Sequence, residues 1–182
     1  MEDITNLSTQ SANGNRISIS DIAIIGVMIA TLEAAKIAMS FLPNIEIVTL
    51  LIMLYTICLG KKTIYAIFVF VLIEGCLYGF GVWWIMYLYI WPLLSLITYV
   101  LRKQNSTIVF ACISGFFGLF FGALCSIPYF FIGGVSMGFS YFVAGISFDI
   151  VHCISNVVLC LILWHPLYTV LRRLTNNSTT ME

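Results

Sequence analysis

Between residues 21 and 170 the chain offers one apolar stretch after another, most of them near the length of a bilayer crossing. A helix that crosses the hydrocarbon core needs about 20 mostly apolar residues, because no water is present to satisfy open backbone groups. Six stretches are candidates: 21–41, 46–60, 63–81, 84–101, 107–126 and 143–170. The second is short, which suits a tilted or partly re-entrant segment, and the sixth is longer than a span needs. Only 9% of the residues are charged, and the mean hydropathy is +1.05. A soluble domain carries about 25% charged residues, so this chain has too few charges for a water-facing surface. The expected fold is an all-α integral membrane protein, a six-transmembrane-helix bundle.

Three regions follow. Residues 1–20 form a polar N-terminal arm that lacks the charged start and apolar core of a signal peptide. Residues 21–172 form the membrane domain, and 173–182 a polar tail. Between spans five and six, "SIPYFFIGGVSMGFS" carries Pro128, Gly133 and Gly134 and is expected to form an apolar outer loop. The six cysteines include no CxxC pair and read as small packing residues.

Basic residues set the orientation. Arg16, Lys61, Lys62, Arg102, Lys103, Arg172 and Arg173 all fall on one side of a six-span chain. That is seven of the eight basic residues, with Lys36 the exception. The excess of lysine and arginine marks the cytoplasmic side, so the N-terminus and C-terminus are both expected there. The expected localisation is a cell membrane, crossed several times.

The remaining charges share one depth. Glu33 and Lys36 lie in the outer part of span one, Glu46 opens span two, and Glu74 lies in the outer half of span three. Asp149 and His152 lie in the outer half of span six. Each such group costs about 2.5–3.5 kcal/mol at a helix centre. Four helices carrying that cost at one level point to a shared polar pocket open to the outside. Within "FDIVHCISN", Asp149, His152 and Asn156 fall within about 60° of arc on one helix face. A plainer reading makes them interhelical hydrogen-bond glue. Glu33 and Lys36, spaced i and i+3, can equally form a local ion pair.

Span four opens with "VWWIMYLYIWP", which crowds Trp83, Trp84, Tyr87, Tyr89 and Trp91 at one end. An interfacial aromatic belt accounts for part of this cluster. One or two rings are free to line the pocket and stack on a flat ligand, and Trp84 and Tyr87 are the candidates.

Other chemistries are poorly served. Gly134 to Gly138 reads GVSMG, a G-x-S-x-G pattern, but the nucleophile elbow needs a strand–turn–helix context that an all-helical chain lacks. There is no GxxxxGK[ST] loop, no zinc-spaced His/Cys set and no basic patch for nucleic acid. His152 and His165 fall near opposite membrane faces, which disfavours a shared haem. No metal, cofactor or catalytic residue is therefore assigned, and the chain is not expected to be an enzyme.

Three blocks carry a resemblance: "FLPNIEIVTLLIMLYTICLGKKTIY", "LIEGCLYGFGVWWIMYLYIWPLLSLITY" and "GISFDIVHCISNVVL". Over roughly residues 20–172 the chain resembles the substrate-binding S components of energy-coupling factor (ECF) transporters, in particular a group from Gram-positive bacteria. The resemblance implies capture of a vitamin or related micronutrient and delivery to a transmembrane coupling subunit with two ATPase subunits. On this reading the substrate contacts are expected among Glu33, Lys36, Asn44, Glu46, Glu74, Trp84, Tyr87, Asp149, His152 and Asn156. The resemblance also implies a small-residue stripe for the coupling subunit, which maps onto Gly26, Ala30 and Ala34, with glycine where alanine is usual. A small intramembrane enzyme or a self-sufficient channel is the alternative.

Overall fold

A computed structural model describes residues 18–179, with side chains described to residue 175. Most of the N-terminal arm, including Arg16, and the last three residues lie outside the described residues. Among the described residues every regular element is helical. The helices are α1 (Ile19–Met39), α2 (Val48–Leu59), α3 (Lys62–Tyr78), α4 (Val82–Val100), α5 (Thr107–Leu119) and α6 (Phe121–Thr179).

Local chemistry sets the boundaries. Ser18 and Asp21 form a reciprocal capping box at the start of α1, which satisfies two backbone donors. Gly60, at φ 59°, lets the chain reverse between α2 and α3 within a few residues. α4 runs through Pro92 without breaking. Such prolines are tolerated in apolar helices because neighbours re-satisfy the freed backbone.

The segment expected to be an outer loop is helical instead. Helix persists through 126–141, and only Gly133 and Gly134 leave helical geometry, the latter at φ 72°. There the chain folds back on itself. Phe110 stacks on Trp164, Ser114 meets Asn156, Gly122 meets Asp149, and Tyr129 stacks on Tyr141. Each pair of numbers sums to about the same value, which is the register of an antiparallel hairpin. Glycine makes the close approach possible. A Cβ on Gly118 would lie 2.9 Å from the His152 carbonyl carbon and 3.0 Å from the Cys153 nitrogen.

α2 is the centre of the bundle. It touches α1, α3, α4 and α6, and Val48–Leu50 and Ile52–Thr56 are all buried. Leu32, Phe70, Ile90 and Leu94 pack around it in one core cluster. The outward faces are also apolar: Ile22, Val27, Leu72, Leu96, Phe116, Phe131 and Ile162 are all at least half exposed. An apolar core inside an apolar exterior suits lipid contact. Three helical stretches are long and apolar enough to cross a membrane: Ile19–Met39, Val82–Val100 and the hairpin Thr107–Thr175. Val48–Leu59 is apolar but shorter.

The ends of the bundle differ. Asp21 pairs with Lys62, joining the start of α1 to the start of α3. A groove lined by Ala23, Leu59 and Leu171 brings the C-terminal ends of α2 and α6 to the same end. Lys61, Lys62, Arg172 and Arg173 therefore gather there. Lys36, Glu46 and Glu74 lie at the opposite helix ends.

Candidate functional site

At that opposite end lies a cavity of about 200 Å³. Its polar lining comes from α1 (Lys36), the α1–α2 connection (Ser40, Asn44, Glu46), α4 (Tyr87) and α6 (His152). Phe70, Trp91 and Phe121 supply its apolar walls.

Glu46 is placed by the helix that follows it. Its carboxylate accepts the Thr49 backbone N–H at 2.9 Å and the Thr49 hydroxyl, covering the exposed N-terminus of α2. The same carboxylate faces His152 Nε2 at 3.1 Å across the cavity. His152 is buried and held edge-on against Phe121, with ring centroids 5.0 Å apart. One ring nitrogen therefore has a defined anionic partner, a second-element contact that orients the imidazole.

Lys36 forms its ion pair with Glu74 of α3. It does not close the local i, i+3 pair with Glu33. Geometry explains the choice. Glu74 is completely buried and forms no other ion pair among the described residues, so α1–α3 packing delivers the ammonium to it. The Lys36 nitrogen also lies 5.1, 5.3 and 5.8 Å from the ring centroids of Tyr78, Tyr87 and Trp83. Three aromatic faces around one ammonium form a cation–π cage, occupied here by the protein's own lysine. The Glu33 carboxylate oxygens are enclosed and meet no hydrogen-bond partner among the described residues.

The polar face of "FDIVHCISN" divides its work. Asn156 donates to the Ser114 carbonyl at 3.3 Å, and the Ser114 hydroxyl returns a bond to the Asn156 carbonyl at 3.4 Å. This is interhelical glue in the plain sense. Asp149 accepts the Gly122 N–H at 2.9 Å, just past the break between α5 and α6 at Phe120. Its carboxylate lines a second cavity, of about 320 Å³, rather than the first. Asn44 and Phe121 line both cavities and form the boundary between them. Asn44 has a left-handed backbone, φ 59°, and its carbonyl accepts from Ser155 at 3.0 Å, which pins the connection against α6.

Trp84 faces away from the first cavity. Its indole donates to the Val71 carbonyl at 2.8 Å and its ring sits edge-on to Phe80 at 5.1 Å. The cavity's tryptophan is Trp91, two helical turns further along α4. Trp91 is only 3% exposed, and its indole N–H has no hydrogen-bond partner among the described residues. A buried donor left without a partner costs about 1–3 kcal/mol, so a ligand acceptor placed there would recover that cost. Sequence spacing could have singled it out, because Tyr87 and Trp91 are four apart and share a helix face. Their rings are 5.4 Å apart in edge contact.

Gly26, Ala30 and Ala34 are all exposed along one side of α1, whereas its buried side is formed by Met28 and Leu32. A Cβ added at Gly26 would meet nothing within 4 Å. The small-residue stripe is therefore an outer surface of the bundle. No family model, curated protein or solved structure matches the chain.

Proposed function

We propose that the chain is a solute-capturing membrane subunit of the ECF type, with six spans and both termini cytoplasmic. It takes a vitamin-like micronutrient from outside and passes it to a coupling subunit and two ATPase subunits. The observation that carries this reading is the first cavity. Lys36, Glu46 and His152, from separate parts of the fold, converge with Tyr87 and Trp91 on one cavity at the end away from the basic residues. Polar glue alone would leave no cavity between the groups and no buried indole donor without a partner. The exposed Gly26–Ala30–Ala34 side of α1 offers a smooth face on which another helix can lie closely.

The enzyme alternative loses support from distance. Ser136 and His152 lie on the same straight limb of α6, sixteen residues apart. At 1.5 Å per residue that separates them by about 24 Å, too far for a serine–histidine pair. A self-sufficient channel would want free polar groups along a whole path, whereas Thr56, Ser95 and Thr98, set among Ile52, Met53, Leu54, Ile67 and Leu94, spend their hydroxyls on each other or on backbone carbonyls.

Purification of the tagged chain from its native membranes tests the proposal. A coupling subunit and ATPase subunits should co-elute, and uptake should require ATP. Solute flux through liposomes holding this chain alone, without ATP, would favour the channel.

A further inference from the structure

The second cavity contains an unusual charge arrangement. Asp149 is only 6% exposed. Its Oδ1 is committed to the Gly122 N–H at 2.9 Å, and among the described residues no hydrogen bond is made by Oδ2. The cavity beside it is lined by no lysine, arginine or histidine. His152, one turn along the same helix face, is the one basic group within electrostatic reach among the described residues, and its Nε2 is already engaged by Glu46; a buried carboxylate without a full counter-charge costs several kcal/mol in an apolar setting. It must take either a proton or a cation from elsewhere.

Space has been left for such a cation. Gly145 lies one helical turn before Asp149, and a Cβ there would be 4.0 Å from Oδ2 and 3.9 Å from the Gly122 Cα, in ordinary contact with both. Glycine at 122 and 145 and alanine at 144 keep the approach to the carboxylate open, and Tyr141 and Asn44 add polar groups to the wall. The cavity adjoins the first one at Asn44 and Phe121. The first cavity, about 200 Å³, is small against the roughly 300–1,000 Å³ of typical small-molecule sites. The two cavities taken together fall within that range.

We infer that the Asp149 cavity is a cation-recognising subsite, taking an ammonium or amidinium group of a ligand whose ring lies against Tyr87 and Trp91. The inference rests on the capture reading and names the chemical class of the captured solute. The carboxylate supplies the charge, and its tether to Gly122 fixes the direction of Oδ2. Phe121 separates the two halves, so the ligand carries its cation on a short arm beyond a flat ring.

The test uses the purified full chain in lipid nanodiscs and three probes that share one ring: benzylammonium, benzyl alcohol and benzoate. Binding is read by tryptophan fluorescence and thermal shift. The wild type should prefer benzylammonium to the other two by at least about tenfold, the range of one charge-assisted hydrogen bond. Asp149→Asn keeps an acceptor for the Gly122 N–H and should lose that preference while still binding benzyl alcohol. Gly145→Ala places a methyl beside Oδ2 in ordinary contact and should weaken benzylammonium binding with an unchanged melting temperature. Equal binding of benzylammonium and benzyl alcohol by the wild type would overturn the subsite. So would unchanged benzylammonium preference in Asp149→Asn. Either result leaves capture at the first cavity standing, because that reading is decided by co-purification with the ATPase subunits.

Discussion

His152 Nε2 and Glu46 Oε1 lie 3.1 Å apart although 106 positions separate them in the chain. The contact joins α6 to the cap of α2, so one side chain both closes a helix end and forms a wall of the cavity. A charge-assisted hydrogen bond from such a group to a ligand contributes about 1.5–3 kcal/mol. Glu46→Gln, which retains an acceptor for the Thr49 N–H, should therefore weaken solute binding roughly 10- to 100-fold with little loss of melting temperature. Equilibrium binding with the co-purifying solute, alongside a thermal scan, checks both halves.

The Lys36–Glu74 pair should behave as a buried ion pair that is costly to break and cheap to replace. Lys36→Met leaves a wholly buried carboxylate without its cation and should cost about 3 kcal/mol, near the lower end of the range because the lysine side chain is 30% exposed. Glu74→Gln alone strands the ammonium among the aromatic rings. The double variant Lys36→Met/Glu74→Gln should recover most of the loss. Unfolding of the four proteins in one detergent, analysed as a double-mutant cycle, measures the coupling.

Two glycines should respond in opposite ways. Gly118→Ala places a methyl against backbone atoms of His152 and Cys153 that cannot swing aside, so the hairpin must separate at a cost of about 1–3 kcal/mol. Gly26→Ala meets nothing within 4 Å and should leave the melting temperature unchanged or higher. Thermal unfolding of the two variants side by side decides it.

Gly26→Leu and Ala30→Leu should separate capture from coupling. Both positions are exposed, so bulk there leaves the fold and solute affinity nearly unchanged. The same bulk prevents close approach of a partner helix and should abolish ATP-driven uptake. Normal uptake by both variants would mean that the stripe faces lipid.

How much of this was legible beforehand depends on whether a feature is local or tertiary. Apolar runs placed the ends of α2 and α3 within a few residues, because helix length is local. The stretch 126–140 was misread as loop. Pro128 and paired glycines break helices in water, yet here helix continues through Pro128 and only Gly133 and Gly134 leave it. Of the groups expected at one depth, Lys36, Glu46 and His152 line one cavity and Asp149 lines another. The ion pairing was not legible, because Lys36 takes Glu74 over the nearer Glu33 only once α3 is packed against α1. Asp149 and Asn156 share a face with His152, but one residue of tilt decides which cavity or backbone each meets. Trp84 and Trp91 are chemically alike in sequence, and only the packing of α4 against α3 sends one to Val71 and leaves the other in the cavity.

Orientation is checked by single cysteines in a cysteine-free background. Lys61→Cys, Lys103→Cys and Asn176→Cys should resist a membrane-impermeant thiol reagent in intact cells, and Ser136→Cys, beside the exposed hairpin turn, should label. Labelling at position 103 from outside would break the six-span arrangement.

The most direct measurement is native mass spectrometry of the chain purified from cells grown in rich medium. One small molecule should be bound per chain in the wild type and be lost in Glu46→Gln. A wild-type protein that carries no solute, or one that Glu46→Gln carries equally well, would contradict capture at the first cavity.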